Sequence, residues 1–405
     1  MGCPSRHAQG HRRGVNEKGE TRPATTIVQG GRRPEWTGPV VNAPVWRAST
    51  ILHPDTVSLK DAGKTNADGH WFYGRRGTPT QWSLADALTA LEPGAAGTML
   101  YPSGAAAVSC ALLAVLKPGD HLLMVDSAYD PTRRLCDAYL KPRGITTTYY
   151  DPLIGVGIEG LITPETRAIF MESPGSLTFE VQDVPAIVAV AKKHGLVTLI
   201  DNTWATPLYF PTIGLGIDLS IIACTKYIGG HSDVMIGSVT SGAETWEALR
   251  LTAQVLGQTV SPDDAYLTTR GLRTLDVRLA RHRDSALEIA RWLSEQPQVA
   301  RVLHPGLPDC PGHEFFMRDF RGGTGLFSFV LKDDSPTATA RVVDALELFG
   351  IGYSWGGFES LVVPSDPSWC RSAVPWSGKS IIRLSIGLED PADLIADLLQ
   401  ALSAQ

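Results

Sequence analysis

Leu196-Val197-Thr198-Leu199-Ile200 ends at Asp201, and Leu219-Ser220-Ile221-Ile222-Ala223-Cys224 ends at Thr225-Lys226. Both runs are short, rich in β-branched residues and bounded by polar or glycine-containing sequence. That is the pattern of strands buried on both faces of a parallel sheet. In an open sheet of this kind the ligand crevice lies beyond the carboxyl ends of the strands. A carboxylate and an amine therefore face one crevice from two strand ends.

Outward from this pair, between about Leu84 and Asp264, helical and strand-like segments alternate. Ser83 to Leu91 has amphipathic spacing and Ala105 to Leu116 reads as a buried helix. His121 to Val125 and Arg167 to Met171 read as strands, and Val184 to Lys193 as a helix stopped by His194-Gly195. The alternation predicts a doubly wound α/β layer with a mostly parallel sheet. Beyond Gly271 a long helix, apolar at Leu279, Ala286, Ile289 and Leu293, leads into mixed strands and helices up to Leu402, read as a smaller α+β domain. The expected division is 1–77 for a tail and arm, 78–271 for the large domain and 272–405 for the small domain. Residues 1 to about 35 scatter arginines among Gly, His and Gln with no apolar run behind them, which predicts a disordered tail rather than a secretory signal. Pro39 to Gly77, full of turn formers, reads as an extended arm against a neighbour or a site.

The bulk properties exclude several function classes. The chain has 405 residues, 43% hydrophobic and 19% charged, with a net charge of −6. That balance leaves no electrostatic footprint for nucleic acid or an anionic membrane. Cys3, Cys110, Cys136, Cys224, Cys310 and Cys370 are scattered, without a CxxC pair or Cys/His ligand spacing. Reduced thiols in a cytoplasmic protein without a metal site are expected. The longest apolar stretch, Ala105 to Leu116, is too short to span a bilayer.

A lysine that forms an imine with a cofactor aldehyde, and an acid that keeps a heteroaromatic nitrogen protonated, are the pair that pyridoxal phosphate (PLP) chemistry requires. Lys226 has to be partly desolvated to serve as that amine. Alone, Thr-Lys-Tyr reads more readily as a solvated loop. Thr225 beside it, and His231-Ser232-Asp233 after a Gly-Gly turn, weigh against that reading. Asp201 would make a charge-assisted bond to the pyridine nitrogen, although Asp-Asn-Thr is also a good turn sequence. Pro102-Ser103-Gly104-Ala105 precedes the apolar helix, so N–H groups at its start could hold a phosphate dianion, with the Thr225 hydroxyl beside them. Taken alone, such a segment is more often an N-cap. It is neither a Walker A loop nor a GxGxxG motif, which disfavours a nucleotide. Tyr129, just past the strand at 121–125, is spaced to stack on a planar ring; spacing serves a core or interface tyrosine equally well.

Several blocks, in order, resemble the Cys/Met-metabolism PLP enzymes of fold-type I. They are Tyr73 to Thr80, the Ser173-Pro174-Gly175 turn, Asp201 to Trp204, Thr225-Lys226-Tyr227 with Gly230 to Asp233, Arg270 to Leu275, and Arg383 to Asp390. The resemblance runs from about residue 40 to the C-terminus. Within the family, Tyr353-Ser354-Trp355-Gly356-Gly357-Phe358-Glu359-Ser360 resembles the loop of the members that cleave cystathionine at Cβ. The γ-acting members usually carry a non-aromatic residue in place of Trp355. Arg75 to Thr78 and Asp151 to Gly155 resemble the β-acting branch as well. Ala223 departs from many γ-acting members, which place a phosphate-binding serine there.

The resemblance implies a carbon–sulfur β-lyase that releases homocysteine, pyruvate and ammonia from cystathionine, in methionine biosynthesis. It implies that Lys226 carries PLP and acts as base, that Arg383 clamps the substrate α-carboxylate, and that Ser354 and Trp355 line the pocket. Gly104 and Ala105 would present N–H groups to the phosphate. Tyr73 and Arg75 would reach across a dimer interface, Arg75 to the phosphate and Tyr73 to the edge of the site, within a tetramer of shared-site dimers. A γ-synthase or γ-lyase would share every cofactor residue and differ around Trp355 and the segment 76–78. A catalytically silent binding or regulatory member is the third alternative, which loss of Lys226 or Asp201 would favour; both residues are present.

Overall fold

Seven strands form the larger sheet: β1 (Gly97–Tyr101), β2 (His121–Val125), β3 (Thr146–Tyr150), β4 (Thr166–Glu172), β5 (Val197–Asp201), β6 (Leu219–Ile222) and β7 (Gly237–Ser241). Their order is β1-β7-β6-β5-β4-β2-β3. From β3 to β6 all neighbours are parallel, while β7 runs antiparallel to both β6 and β1. A second, five-stranded sheet holds β8 (Val299–Leu303), β9 (Leu326–Leu331), β10 (Gly350–Ile351), β11 (Leu361–Ser365) and β12 (Ile381–Ser385), ordered β10-β11-β12-β9-β8. These features come from a computed structural model that describes residues 21–65, 69–378 and 380–403. Among the described residues no helix is long and apolar enough to cross a membrane.

The apolar runs read from the sequence are the strands at the centre of the larger sheet. Every residue of β2 and β6 is buried, and the helices Gly104–Val115 and Val184–Lys193 pack against the same core. The helix Pro79–Thr89 begins four residues before its amphipathic pattern does. Thr78 and Gln81 form a reciprocal capping box there, with Pro79 at the first turn. The helix Leu275–Ser294 serves two cores. Leu275 and Leu279 lie in the core of the larger sheet, whereas Ala286, Ile289 and Leu293 pack with Phe327 and Phe329 of β9.

Four features differ from the sequence reading. Strand β7 is Gly-Ser-Val-Thr-Ser and carries little apolar signal, yet it is fully buried; its neighbour β1, Gly-Thr-Met-Leu-Tyr, holds only a short apolar stretch. Their hydroxyls satisfy one another: Thr98 meets Thr240 at 2.9 Å and Thr89 at 2.8 Å, and Ser241 meets Thr245 at 2.8 Å. Edge strand β3, Thr-Thr-Thr-Tyr-Tyr, is half-exposed and equally silent to a search for apolar runs. The run from Leu219 leaves the sheet at Ile222, and Ala223 to Lys226 form a turn in which the Lys226 N–H donates to the Ala223 carbonyl at 3.0 Å.

The expected tail is the fourth difference. Residues 1–20 lie outside the described residues, but Pro23–Gln29 and Pro34–Thr37 are helical. Ile27 is buried to 1% exposure, and the Arg273 guanidinium donates to the carbonyls of Ile27 and Gly30 at 2.5 and 2.8 Å. With the Arg33–Asp86 ion pair and the Trp36–Trp82 contact, these order a segment whose composition alone reads as unfolded. The arm beyond Pro39 also holds a helix, Thr56–Thr65. Trp71 packs edge-on against Trp46 and Trp82, with ring centres 5.5 and 5.6 Å apart.

Candidate active site

Beyond the carboxyl ends of β4, β5 and β6 lies a cavity of about 900 Å³. Gly104, Ala105, Tyr129, Asp201, Thr225 and Lys226 line it from the larger sheet, and Ser354, Trp355 and Arg383 line it from the smaller one. Tyr73 and Arg75 do not. They border a separate depression of about 340 Å³ with Trp46, Gln81 and Pro262, and the Arg75 guanidinium donates to the Gln254 carbonyl at 3.0 Å.

Each residue reaches the cavity through local chemistry. Asp201 is the last residue of β5, and its Oδ1 accepts the Thr203 N–H at 3.0 Å. The Thr203 hydroxyl accepts the Ala223 N–H at 2.9 Å, which ties the end of β5 to the turn carrying Lys226. Thr225 is clamped from both sides by Ile236, accepting its N–H at 3.0 Å and donating to its carbonyl at 3.1 Å. Its single hydroxyl proton is therefore engaged within the chain, leaving a lone pair rather than a proton free toward the cavity. Tyr129, half exposed, donates its backbone N–H to Glu172 Oε2 at 2.7 Å.

The Lys226 amine donates to Ser354 Oγ at 2.6 Å and lies 5.3 Å from the centre of the Trp355 ring. Ser354 has φ +83°, a left-handed backbone costly for a side-chain-bearing residue, at about 1–3 kcal/mol. The Arg383 guanidinium donates to the carbonyl of that same residue at 3.1 Å. Burial, and then the positive charge of Arg383, lower the Lys226 amine to about 8, against the opposing pull of Asp201. Burial raises Asp201 above the ordinary carboxylate range, while Thr203 and the Lys226 charge hold it down. Burial lowers Arg383 to about 10, so it remains a cation at neutral pH. An amine that can lose its proton near neutrality, a carboxylate and a fixed cation thus share one cavity.

Helix Gly104–Val115 starts at the cavity wall. Ser103 caps it, its Oγ accepting the Ala106 N–H at 3.1 Å, while the first-turn N–H groups have no carbonyl in the preceding turn to reach. A Cβ at position 104 would lie 2.6 Å from Ala223 Cβ, so this approach of helix to turn requires glycine. Gly104→Ala should push the helix start off the turn and destabilise the protein by about 1–3 kcal/mol. Thermal unfolding of the variant checks this, and an unchanged midpoint would show that the contact relaxes freely.

The strand-end logic that singles out Asp201 applies equally to Glu172, which directly follows the apolar run at 168–171 and lines the cavity. Arg371 is different. It is buried beside Glu180 and lines the cavity from a loop, with no periodic signal in its surroundings.

A family model described as "Cys/Met metabolism PLP-dependent enzyme" matches residues 24–403, taking in the N-terminal helices as well. A cystathionine β-lyase of Escherichia coli is 48% identical over 382 residues, covering 92% of this chain and 96% of its own. A cystathionine γ-synthase of Mycobacterium bovis is 36% identical over 398 residues, covering 96% and 98%. The crystal structure of metB from Corynebacterium glutamicum superposes with a TM-score of 0.86 at 31% identity, over 95% of this chain and 98% of that one. The mostly parallel seven-stranded sheet with its smaller α+β partner is the fold-type I arrangement. The cavity suits pyridoxal 5′-phosphate: it joins an amine of lowered basicity, a carboxylate on a neighbouring strand end and a helix start that a Cβ at position 104 would crowd. On fold, cavity chemistry and sequence together, the chain belongs to the Cys/Met metabolism PLP-dependent enzyme family.

Proposed function

We propose that the protein is a carbon–sulfur β-lyase that, with one water, cleaves cystathionine to homocysteine, pyruvate and ammonia. The observation carrying this reading is the contact of Lys226 with Ser354 at 2.6 Å and with the Trp355 ring at 5.3 Å. The segment that resembles the β-acting members thus sits on the reacting amine. The greater identity to the β-lyase of Escherichia coli than to the γ-synthase of Mycobacterium bovis supports the same choice.

Pyridoxal 5′-phosphate, when bound, supplies the electron-withdrawing ring that makes the substrate Cα–H acidic. Asp201 keeps the ring nitrogen protonated by a charge-assisted bond. Gly104 and Ala105 would offer helix N-terminal N–H groups to the phosphate, whereas the Thr225 hydroxyl beside them would first have to release its proton from the Ile236 carbonyl. Tyr129 would stack on the cofactor ring, and Arg383 would hold the substrate α-carboxylate in a two-pronged bond and so orient the Cα–H for removal. Lys226 takes the Cα proton, which its lowered basicity suits. The departing thiolate takes a proton from Lys226 or from the Tyr129 phenol. Trp355, packed 5.3 Å from the Tyr227 ring, walls the site beside Lys226.

Tyr73 and Arg75 belong to a neighbouring subunit's cavity in this reading, with Arg75 on the phosphate and Tyr73 at the site's edge. Their position in a separate depression of their own chain supports a shared-site dimer, and a tetramer of such dimers follows from the family resemblance. The keto acid decides the chemistry: purified enzyme and cystathionine should yield pyruvate, identified by coupled lactate dehydrogenase and by mass. Accumulation of 2-oxobutyrate would replace this reading with the γ-acting one.

A further inference from the structure

Strands β4 and β5 end level with each other. Glu172 and Asp201 are register partners on these parallel neighbours, whose backbones lie about 4.8 Å apart with opposed side chains on the same face. Glu172 Oε2 accepts the Tyr129 N–H at 2.7 Å, and Oε1 meets the Ser176 hydroxyl at 2.6 Å. Both carboxyl groups line the cavity.

We propose that Glu172 is a positioning residue of this site: it fixes Tyr129 through the backbone and stands beside Asp201 as the neutral member of a carboxyl pair. Of the two, Asp201 then carries the negative charge. The inference rests on the reading above in which Asp201 faces the pyridine nitrogen.

Two half-buried carboxylates at register positions on adjacent strands repel when both are ionised, so one retains its proton. The surroundings choose which. Asp201 accepts a backbone N–H from Thr203 and feels the positive charge of Lys226 from the turn after β6. Glu172 feels burial and then the negative charge of Asp201, and both push its carboxyl well above the usual range. The remaining ionisable groups around the pair are the Tyr129 phenol, which feels both carboxyls, Asp130 on the following helix, and Arg383 on β12. A protonated Glu172 still accepts from the Tyr129 N–H, and it donates to Ser176 Oγ by reversing that bond. Neutrality therefore leaves the hold on Tyr129 intact.

Glu172→Gln copies the neutral carboxyl in shape. Apo-protein affinity for pyridoxal 5′-phosphate, read by tryptophan quenching, should stay within about threefold of the unsubstituted protein near neutral pH. As pH rises and Glu172 ionises, the affinity of the unsubstituted protein should fall while that of Glu172→Gln does not follow it. Glu172→Leu removes the acceptor for the Tyr129 N–H, and its kcat/KM should fall about tenfold, with glutamine restoring most of it. An affinity loss of tenfold or more in Glu172→Gln near neutrality would overturn the proposal, as would superimposable affinity–pH curves. A folding failure of that variant is covered by infrared difference spectra. In a Glu92→Gln background, which removes another buried acid raised to about 7, a protonated-carboxyl band should persist at neutral pH; its absence also overturns the proposal. Cofactor affinity is read without turnover, so this test fails or succeeds independently of which keto acid cystathionine yields.

Discussion

Lys226→Ala should lower turnover of cystathionine by about 10³-fold or more, the range expected when a nucleophile and general base are lost together. The amine it removes is held between Ser354 Oγ and the Trp355 face and is lowered to about 8 by burial and by Arg383. No other lysine lines the cavity among the described residues. The variant retains Asp201, Arg383 and the helix start at Gly104, so it should fold and bind pyridoxal 5′-phosphate without a covalent bond. Borohydride reduction followed by peptide mapping separates the two states. The unsubstituted protein should carry the pyridoxyl mass on the peptide containing Lys226, and the variant should carry none. A pyridoxyl mass on a different lysine of the unsubstituted protein would end the assignment.

Asp126→Ala should cost about 3–5 kcal/mol of stability, the penalty of leaving the buried Arg133 cation without its anion. Asp126 directly follows β2, and its side chain is wholly buried. Its carboxylate accepts the backbone N–H groups of Ser372, Ala373 and Val374 at 2.9–3.0 Å and the Ser372 hydroxyl at 2.9 Å. The Arg133 guanidinium donates to it at 3.0 Å. These bonds fasten the loop carrying Trp369, Cys370 and Arg371, which walls the cavity, to the larger sheet. Alanine would leave three N–H groups without their acceptor and take the anion from beside the Arg133 guanidinium, which would keep only its bonds to the backbone carbonyl at position 126 and to Ser372 Oγ.

The pH dependence of this contribution has a definite sign. Burial acts to raise the Asp126 carboxyl, but the N–H groups of Val374 and Ser372, the Ser372 hydroxyl and Arg133 outweigh it and leave it below its ordinary value. The unfolded chain therefore binds a proton more readily at this position than the folded one. Stability from Asp126 is complete above the unfolded carboxyl pKa, about 3.9, and is lost as pH falls through the lower folded value. Urea unfolding of both proteins should give a wide gap in midpoint at neutral pH that narrows in acid. A gap that widens in acid would contradict this account of the loop.

The chain determined a large part of the site in one dimension. Buried parallel strands have to be continuous apolar runs, and a polar residue at the end of such a run has to emerge at the crevice. Asp201 and Lys226 were legible for that reason, and Glu172 obeys the same rule. Gly104 stood out as a residue without a side chain at a helix start, and the structure shows that start packed so closely on Ala223 that a Cβ would lie 2.6 Å from its Cβ.

Tertiary structure alone decided the rest. Strand β7 is buried but rich in hydroxyl residues, which find partners in Thr98 of β1 and Thr245 of the next helix. Ile27 helps order a helix within a stretch whose composition is that of a tail, because it is buried in the core of the larger sheet. Asp126, Arg371 and the Ser354 contact join segments more than a hundred residues apart, and no local periodicity encodes a bond across that interval. The amine's lowered basicity belongs to the same class. It arises from burial and from Arg383 on the other sheet, so it exists only once both sheets close around the cavity. Sequence specifies which groups reach a strand end; packing specifies which charges they then feel.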